Sequence, residues 1–133
     1  MSVAAITVGG FPVLILATQV VLNINPWYEP RYLIPLAGMI FANTMNSASI
    51  AAKRYHAELG AGYELIEARQ HAFQATMNPL INSLLAVGLV SLPGMMTGQV
   101  LSGVSPLIAA RYQILVMCML FSASGIGAVC FLY

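Results

Sequence analysis

An all-α integral membrane protein is what the sequence predicts, on three observations. Of its 133 residues, 59% are hydrophobic and 7% charged, whereas a soluble domain carries roughly 25% charged residues. Most of the surface must therefore face lipid or other lipid-embedded helices. The apolar residues gather into four stretches, Val3 to Leu22, Leu33 to Ala52, Pro79 to about Thr97, and Ile114 to Tyr133, each near the roughly 20 residues that cross a hydrocarbon core. Strands do not suit these stretches, because an open sheet in lipid leaves edge N–H and C=O groups unpaired and four segments are too few to close a barrel. A single transmembrane domain, 1–133, is expected.

The first stretch follows Met1-Ser2 with no basic residue ahead of it. A cleaved signal peptide needs such a basic start, so this span is expected to be retained. NINPWYEPRY, from Asn23 to Tyr32, holds two prolines, a tryptophan and two tyrosines, and suits a short turn with aromatics at the lipid–water boundary.

The second span is followed by KRYHAELGAGYELIEARQHAFQAT, Lys53 to Thr76, with three of the five basic residues, three of the four acidic ones and both histidines. Three basic residues here against Arg31 and Arg111 on the other side place this connection in the cytoplasm by the positive-inside rule. Gly60 and Gly62 would interrupt a single long helix, and a short amphipathic helix is expected near Glu64 to Gln74.

The third span breaks. VGLVSLPGMMTGQ, Val87 to Gln99, starts as a membrane helix and then meets Pro93, Gly94 and Gly98. Non-helical backbone at membrane depth survives only where protein or a water-filled cavity satisfies it, so the break marks a place where the helix opens against a neighbour or a pathway. The last span carries Cys118 and Cys130, roughly 18 Å apart at helical rise, too far for a disulfide within one helix.

Polar side chains inside the spans are the candidates for function. Asn43, Thr44, Asn46, Ser47 and Ser49 lie on the second, Asn82 and Ser83 on the third, and Gln99 just past it. Asn43 and Asn46 share a helix face, as do Thr44 and Ser47. They would line a solute path, or they would form interhelical hydrogen bonds, which average about 0.6 kcal/mol in membranes. Among eight methionines, Met95 and Met96 beside the break offer thioethers to a soft metal, although flexible core filling is the common role of Met. No fixed metal site is expected, since His56 and His71 sit among charges and neither HxxxH nor paired CxxC occurs.

Enzyme signatures are missing. The chain has no Asp, no GxSxG, no GxxxxGK[ST] and no HExxH, so neither a nucleophilic triad nor a phosphate-cradling loop is encoded. No cofactor is expected. The scattered basic residues form no stripe that could follow nucleic acid.

IPLAGMIFANTMNSASIA (Ile34 to Ala51) and PLINSLLAVGLVSLPGMMTGQVLSGVSPLIAARYQILVM (Pro79 to Met117) resemble the FetB-type iron-export ABC transporter permease family, to which the plant aluminium-tolerance permeases are also similar. The resemblance covers most of this chain and roughly the C-terminal half of the family pattern, so the N-terminal spans of the family are expected to be missing here. It implies a permease subunit without catalytic activity, a second permease chain, and a separate ATP-binding subunit that docks on a cytoplasmic coupling loop with a Gly-Ala element. Leu59-Gly60-Ala61 stands where that element belongs, with Glu64, Glu67 and Arg69 at the rim; Gly62 stands in place of the family's Thr-Pro. The break at Pro93-Gly94 would then free backbone carbonyls, and Met95, Met96 and Gln99 would join them as transient solute ligands, with Asn43, Asn46 and Asn82 facing the same path. A packing kink is the other reading of the break. A carrier or channel driven by an ion gradient, or a fragment with an assembly role, would share the polar face but has no need of a coupling loop.

Overall fold

The computed structural model describes residues 2–21, 28–86 and 94–133. Among them the chain is helical apart from short connections, with no strand. Helix α1, Ser2–Ile15, continues as a π-helical stretch, Leu16–Val21. Pro12 lies inside α1 and has no N–H to give the turn before it. Beyond it, Thr18 Oγ1 donates to the Leu14 carbonyl at 2.9 Å and reaches the Ile15 carbonyl at 3.3 Å, so a hydroxyl satisfies backbone oxygens where the ladder changes pitch.

Helix α2 runs from Pro30 to Gly60, 31 residues, and α3 from Leu65 to Ala86. At 1.5 Å per residue α2 is about 46 Å long, well beyond a hydrocarbon core of about 30 Å. The expected connection from Lys53 to Thr76 is therefore not a loop. Its first third is the projecting end of α2 and its remainder is the first half of α3, leaving only residues 61–64 as a turn. Residues 51–60 are rich in strong helix formers, and Arg54 pairs with Glu58 one turn on. Helix α3 likewise absorbs the short helix expected at 64–74 and runs on through Pro79.

The turn is closed by the glycine the sequence places there. Gly62 has φ of 89°, a left-handed conformation that costs a residue with a Cβ roughly 1–2 kcal/mol. Its N–H donates to the Leu59 carbonyl at 3.1 Å, and the Tyr63 N–H donates to Glu58 at 3.2 Å, the paired bonds of a Schellman motif.

Three of the four expected spans are long and apolar enough to cross a membrane: Val3–Val20, Leu33–Gly60 and Pro106–Leu132. The expected third span falls partly on α3 and partly on α4, with residues 87–93 outside the described residues. Helix α3 ends at Ala86 with a charged first half, and α4, Gly94–Leu101, is only 8 residues long. Helix α5, Pro106–Leu132, starts ahead of the expected Ile114, with Pro106 in its first turn, a position that needs no N–H donor.

Helix α5 is the centre of the bundle and packs against α1, α2, α3 and α4. Its crossing with α1 is set by two glycines: a Cβ on Gly9 would lie 2.8 Å from the Gly127 nitrogen and 2.9 Å from the Ala123 oxygen. Small residues let backbones approach where lipid supplies no hydrophobic drive between helices. Leu14, Leu36, Ile40, Val116 and Met119 fill one side of the crossing. Ala51, Ala72 and Leu132, flanked by Tyr55, Phe73 and Phe131, fill the other. Val3, Val20, Ile34, Leu85 and Ile114 remain exposed, as the lipid-facing side of such a bundle requires. Cys118 and Cys130 are free and exposed.

Candidate functional site

Two polar regions stand out against this apolar bundle, one inside it and one at the elbow between α2 and α3. Inside, Thr18, Thr44, Ser47, Thr76, Gln113 and Ser124 are buried. The threonines are self-sufficient: Thr44 Oγ1 donates to the Ile40 carbonyl and Thr76 Oγ1 to that of Ala72, each at 2.8 Å. Among the described residues, Gln113 Oε1 and Ser124 Oγ have no hydrogen-bond partner, and neither does the buried Oε1 of Gln99 on α4. An unsatisfied buried polar group costs about 1–3 kcal/mol, so these oxygens are the points where the interior has unused capacity to receive a donor or a cation. Gln113 and Ser124 escaped the sequence reading, because only the packing of four helices around α5 makes their positions interior.

The expected path residues are placed less uniformly. Asn43 is half-buried and its Nδ2 donates to the Met39 carbonyl at 2.9 Å, so its amide is engaged by its own helix. Asn46 and Asn82 lie exposed on α2 and α3. No hydrogen bond joins the three asparagines among the described residues. Met96 and Gln99 are half-buried on α4. Pro93 and the side chain of Met95 lie outside the described residues. Gly94 is the first residue of α4 and Gly98 lies in its middle, while the expected break ahead of Gly94 falls on residues 87–93, outside the described residues. The Gly98 carbonyl accepts from the Ser102 N–H at 3.0 Å and from Ser102 Oγ at 2.7 Å, so it is not a freed ligand. Helix α4 instead closes on Gly103, φ 88°, whose N–H donates to Val100 while that of Val104 donates to Gln99, both at 3.0 Å.

At the elbow, Glu58 is the organising residue. Its side chain is 7% exposed, pairs with Arg54 Nη2 at 2.5 Å, and faces His71 Nδ1 of α3 at 3.4 Å. Tyr63 meets the His71 ring edge-on at 5.3 Å between centroids. One carboxylate thus ties the last turns of α2 to the first turns of α3 beneath the Gly62 turn. The Arg54 to Glu58 spacing was a signal for it, but its burial depends on α3 folding back. Gly60 and Ala61 are exposed at the tip and Leu59 is half-buried; Glu64 and Glu67 are exposed. Arg69 is half-buried, and its guanidinium lies 5.2 Å from the centroid of the Tyr133 ring at the end of α5, a cation–π contact.

A model of one protein family, described as uncharacterised protein family UPF0014, matches residues 1–133. The chain belongs to the UPF0014 family. It is 42% identical to the UPF0014 membrane protein slr1647 of Synechocystis sp., over 85% of this chain and 49% of that one. It is 34% identical to the protein ALUMINUM SENSITIVE 3 of Arabidopsis thaliana, over 83% of this chain and 45% of that one. It is 30% identical to the Escherichia coli protein named "Probable iron export permease protein FetB", over 96% of this chain and 54% of that one. The chain spans about half the length of these relatives. No solved structure matches it. Relatives named as membrane proteins and three membrane-capable helices make this UPF0014 chain a multi-pass membrane protein.

Proposed function

We propose that this UPF0014 chain is a permease subunit, or part of one, of an ABC transporter that exports iron or another metal or small solute, with ATP hydrolysed by a separate subunit and a second permease chain completing the pathway. The observation that carries this reading is the elbow. Helix α2 continues past the hydrocarbon and ends in a hydrogen-bonded turn braced by Glu58, Arg54 and His71. Such a projecting rigid corner can pass a push from a docked ATPase into α2 and α3, which a flexible loop cannot do. Leu59, Gly60 and Ala61 form its tip, with Glu64 and Glu67 beside it for polar contacts.

Metal export is supported by the name of the E. coli relative. In this reading Asn46, Asn82, Met95, Met96 and Gln99 contact the solute in passing, with the unpartnered oxygens of Gln99, Gln113 and Ser124 as additional contacts, and Asn43 after release from Met39. The elbow end faces the cytoplasm.

Co-purification in mild detergent with candidate ATP-binding subunits tests this, using the intact chain and a variant lacking Leu59 to Ala61. Association with stimulated ATPase activity that is lost in the variant is the expected result. Solute movement driven by an ion gradient, without any associated ATPase, would replace this reading with that of a carrier.

A further inference from the structure

We propose that the groove between α3 and α5 at the elbow end of the bundle binds one phospholipid with an anionic headgroup. Two adjoining cavities form it. One, of about 590 Å³, is lined mainly by Phe73, Met77 and Ile81 of α3 and Phe121, Gly125 and Ile126 of α5. The other, of about 350 Å³, is lined by Arg54, His71, Gln74, Ala75 and Asn78. They share Gln74 and Asn78, so they are one groove with an apolar length and a polar end.

The order of chemistry along it matches a phospholipid. His71, Gln74, Asn78 and Ile81 recur at spacings of three and four on α3, and so lie along one face. That face passes from an ionisable group through two amides to an aliphatic one while running away from the elbow. Arg54 stands just past the apolar part of α2, where a headgroup would sit at the edge of the hydrocarbon.

The polar end favours a phosphodiester over a cation. Its two ionisable lining groups, Arg54 and His71, are basic, Gln74 and Asn78 add amide N–H donors, and no carboxylate lines it. Glu58 engages Nη2 of Arg54 and faces Nδ1 of His71. The guanidinium N–H groups of Arg54 other than those on Nη2 can donate to a phosphate. At the apolar end Gly125 keeps the groove open, since a Cβ there would meet nothing closer than Met77 Sδ at 3.9 Å.

Native mass spectrometry of the purified full chain, with phosphatidylglycerol or phosphatidylcholine added to the detergent, tests the proposal. A single phosphatidylglycerol adduct that outlasts phosphatidylcholine and raises the unfolding temperature is expected. Gly125→Leu, which fills the apolar end, should lose the adduct. Arg54→Gln, at a side chain 55% exposed, should keep lipid binding but lose the preference for phosphatidylglycerol. Monodispersity of each variant checks that it folds. Equal retention of both lipids by the unaltered chain, or an adduct unaffected by Gly125→Leu, would overturn the site. A dimer lost with Gly125→Leu would assign the groove to a second copy and overturn it as well.

Discussion

The Thr44 methyl of α2 presses so closely on Gly127 of α5 that a Cβ at position 127 would lie 2.5 Å from it. Thr44 cannot easily turn aside, because its Oγ1 is held by the Ile40 carbonyl at 2.8 Å and the residue is fully buried. Gly127→Val should therefore overpack the crossing of α1, α2 and α5 and lower stability by about 1–3 kcal/mol. Gly9→Val should cost more, since its Cβ would strike backbone atoms of α5 rather than a side chain. Thermal unfolding of both variants in the same detergent checks the ranking.

Glu58 gives a second prediction. Removing Arg54 leaves a nearly buried carboxylate whose remaining ionic neighbour among the described residues is His71. Arg54 is itself 55% exposed, so Arg54→Met should cost about 1 kcal/mol rather than the several expected of a fully buried pair. Glu58→Gln made in the Arg54→Met background should recover part of that loss. A double-mutant cycle by thermal unfolding at low and high salt measures it, with the coupling smaller at high salt.

The helical membrane class was legible because composition alone decides it: a chain with so few charges has no other solvent. Helix ends were less legible. Lys53 to Gly60 reads as a loop because its residues are polar, yet a helix leaving the membrane needs propensity and no apolar stripe, and α2 runs through. Gly62 was legible as an interruption, since a left-handed turn favours glycine. Gly98 carries the same letter but lies within α4, where a glycine costs only about 1 kcal/mol against alanine and need not end a helix. Glu58, Gln113 and Ser124 could not be singled out, because their burial comes from helices distant in sequence.

The elbow supplies a third prediction. Gly62→Ala forces a Cβ into the left-handed region and should loosen the two bonds that close α2, at a cost of about 1 kcal/mol. Native-state hydrogen exchange should show faster exchange at the Gly62-position and Tyr63 amides, whose acceptors are Leu59 and Glu58, while amides around Thr44 keep their protection. If the elbow transmits a push from an ATPase, the same variant should retain association but show weaker ATPase stimulation.

The methionines give the last prediction. Met96 is half-buried on α4, the same short helix that holds the unpartnered oxygen of Gln99. A soft or borderline metal passing there would gain a thioether and an amide oxygen from one helix, whereas a kink that only packs would use Met96 for its volume. Met96→Leu conserves most of that volume and removes the sulfur, so it should leave unfolding within about 1 kcal/mol of the original chain. If the chain exports a metal as proposed, efflux from cells should nonetheless fall at equal expression, as it should for Met95→Leu and Gln99→Leu. Unchanged efflux in all three variants would remove the ligand role from this segment and leave it as packing.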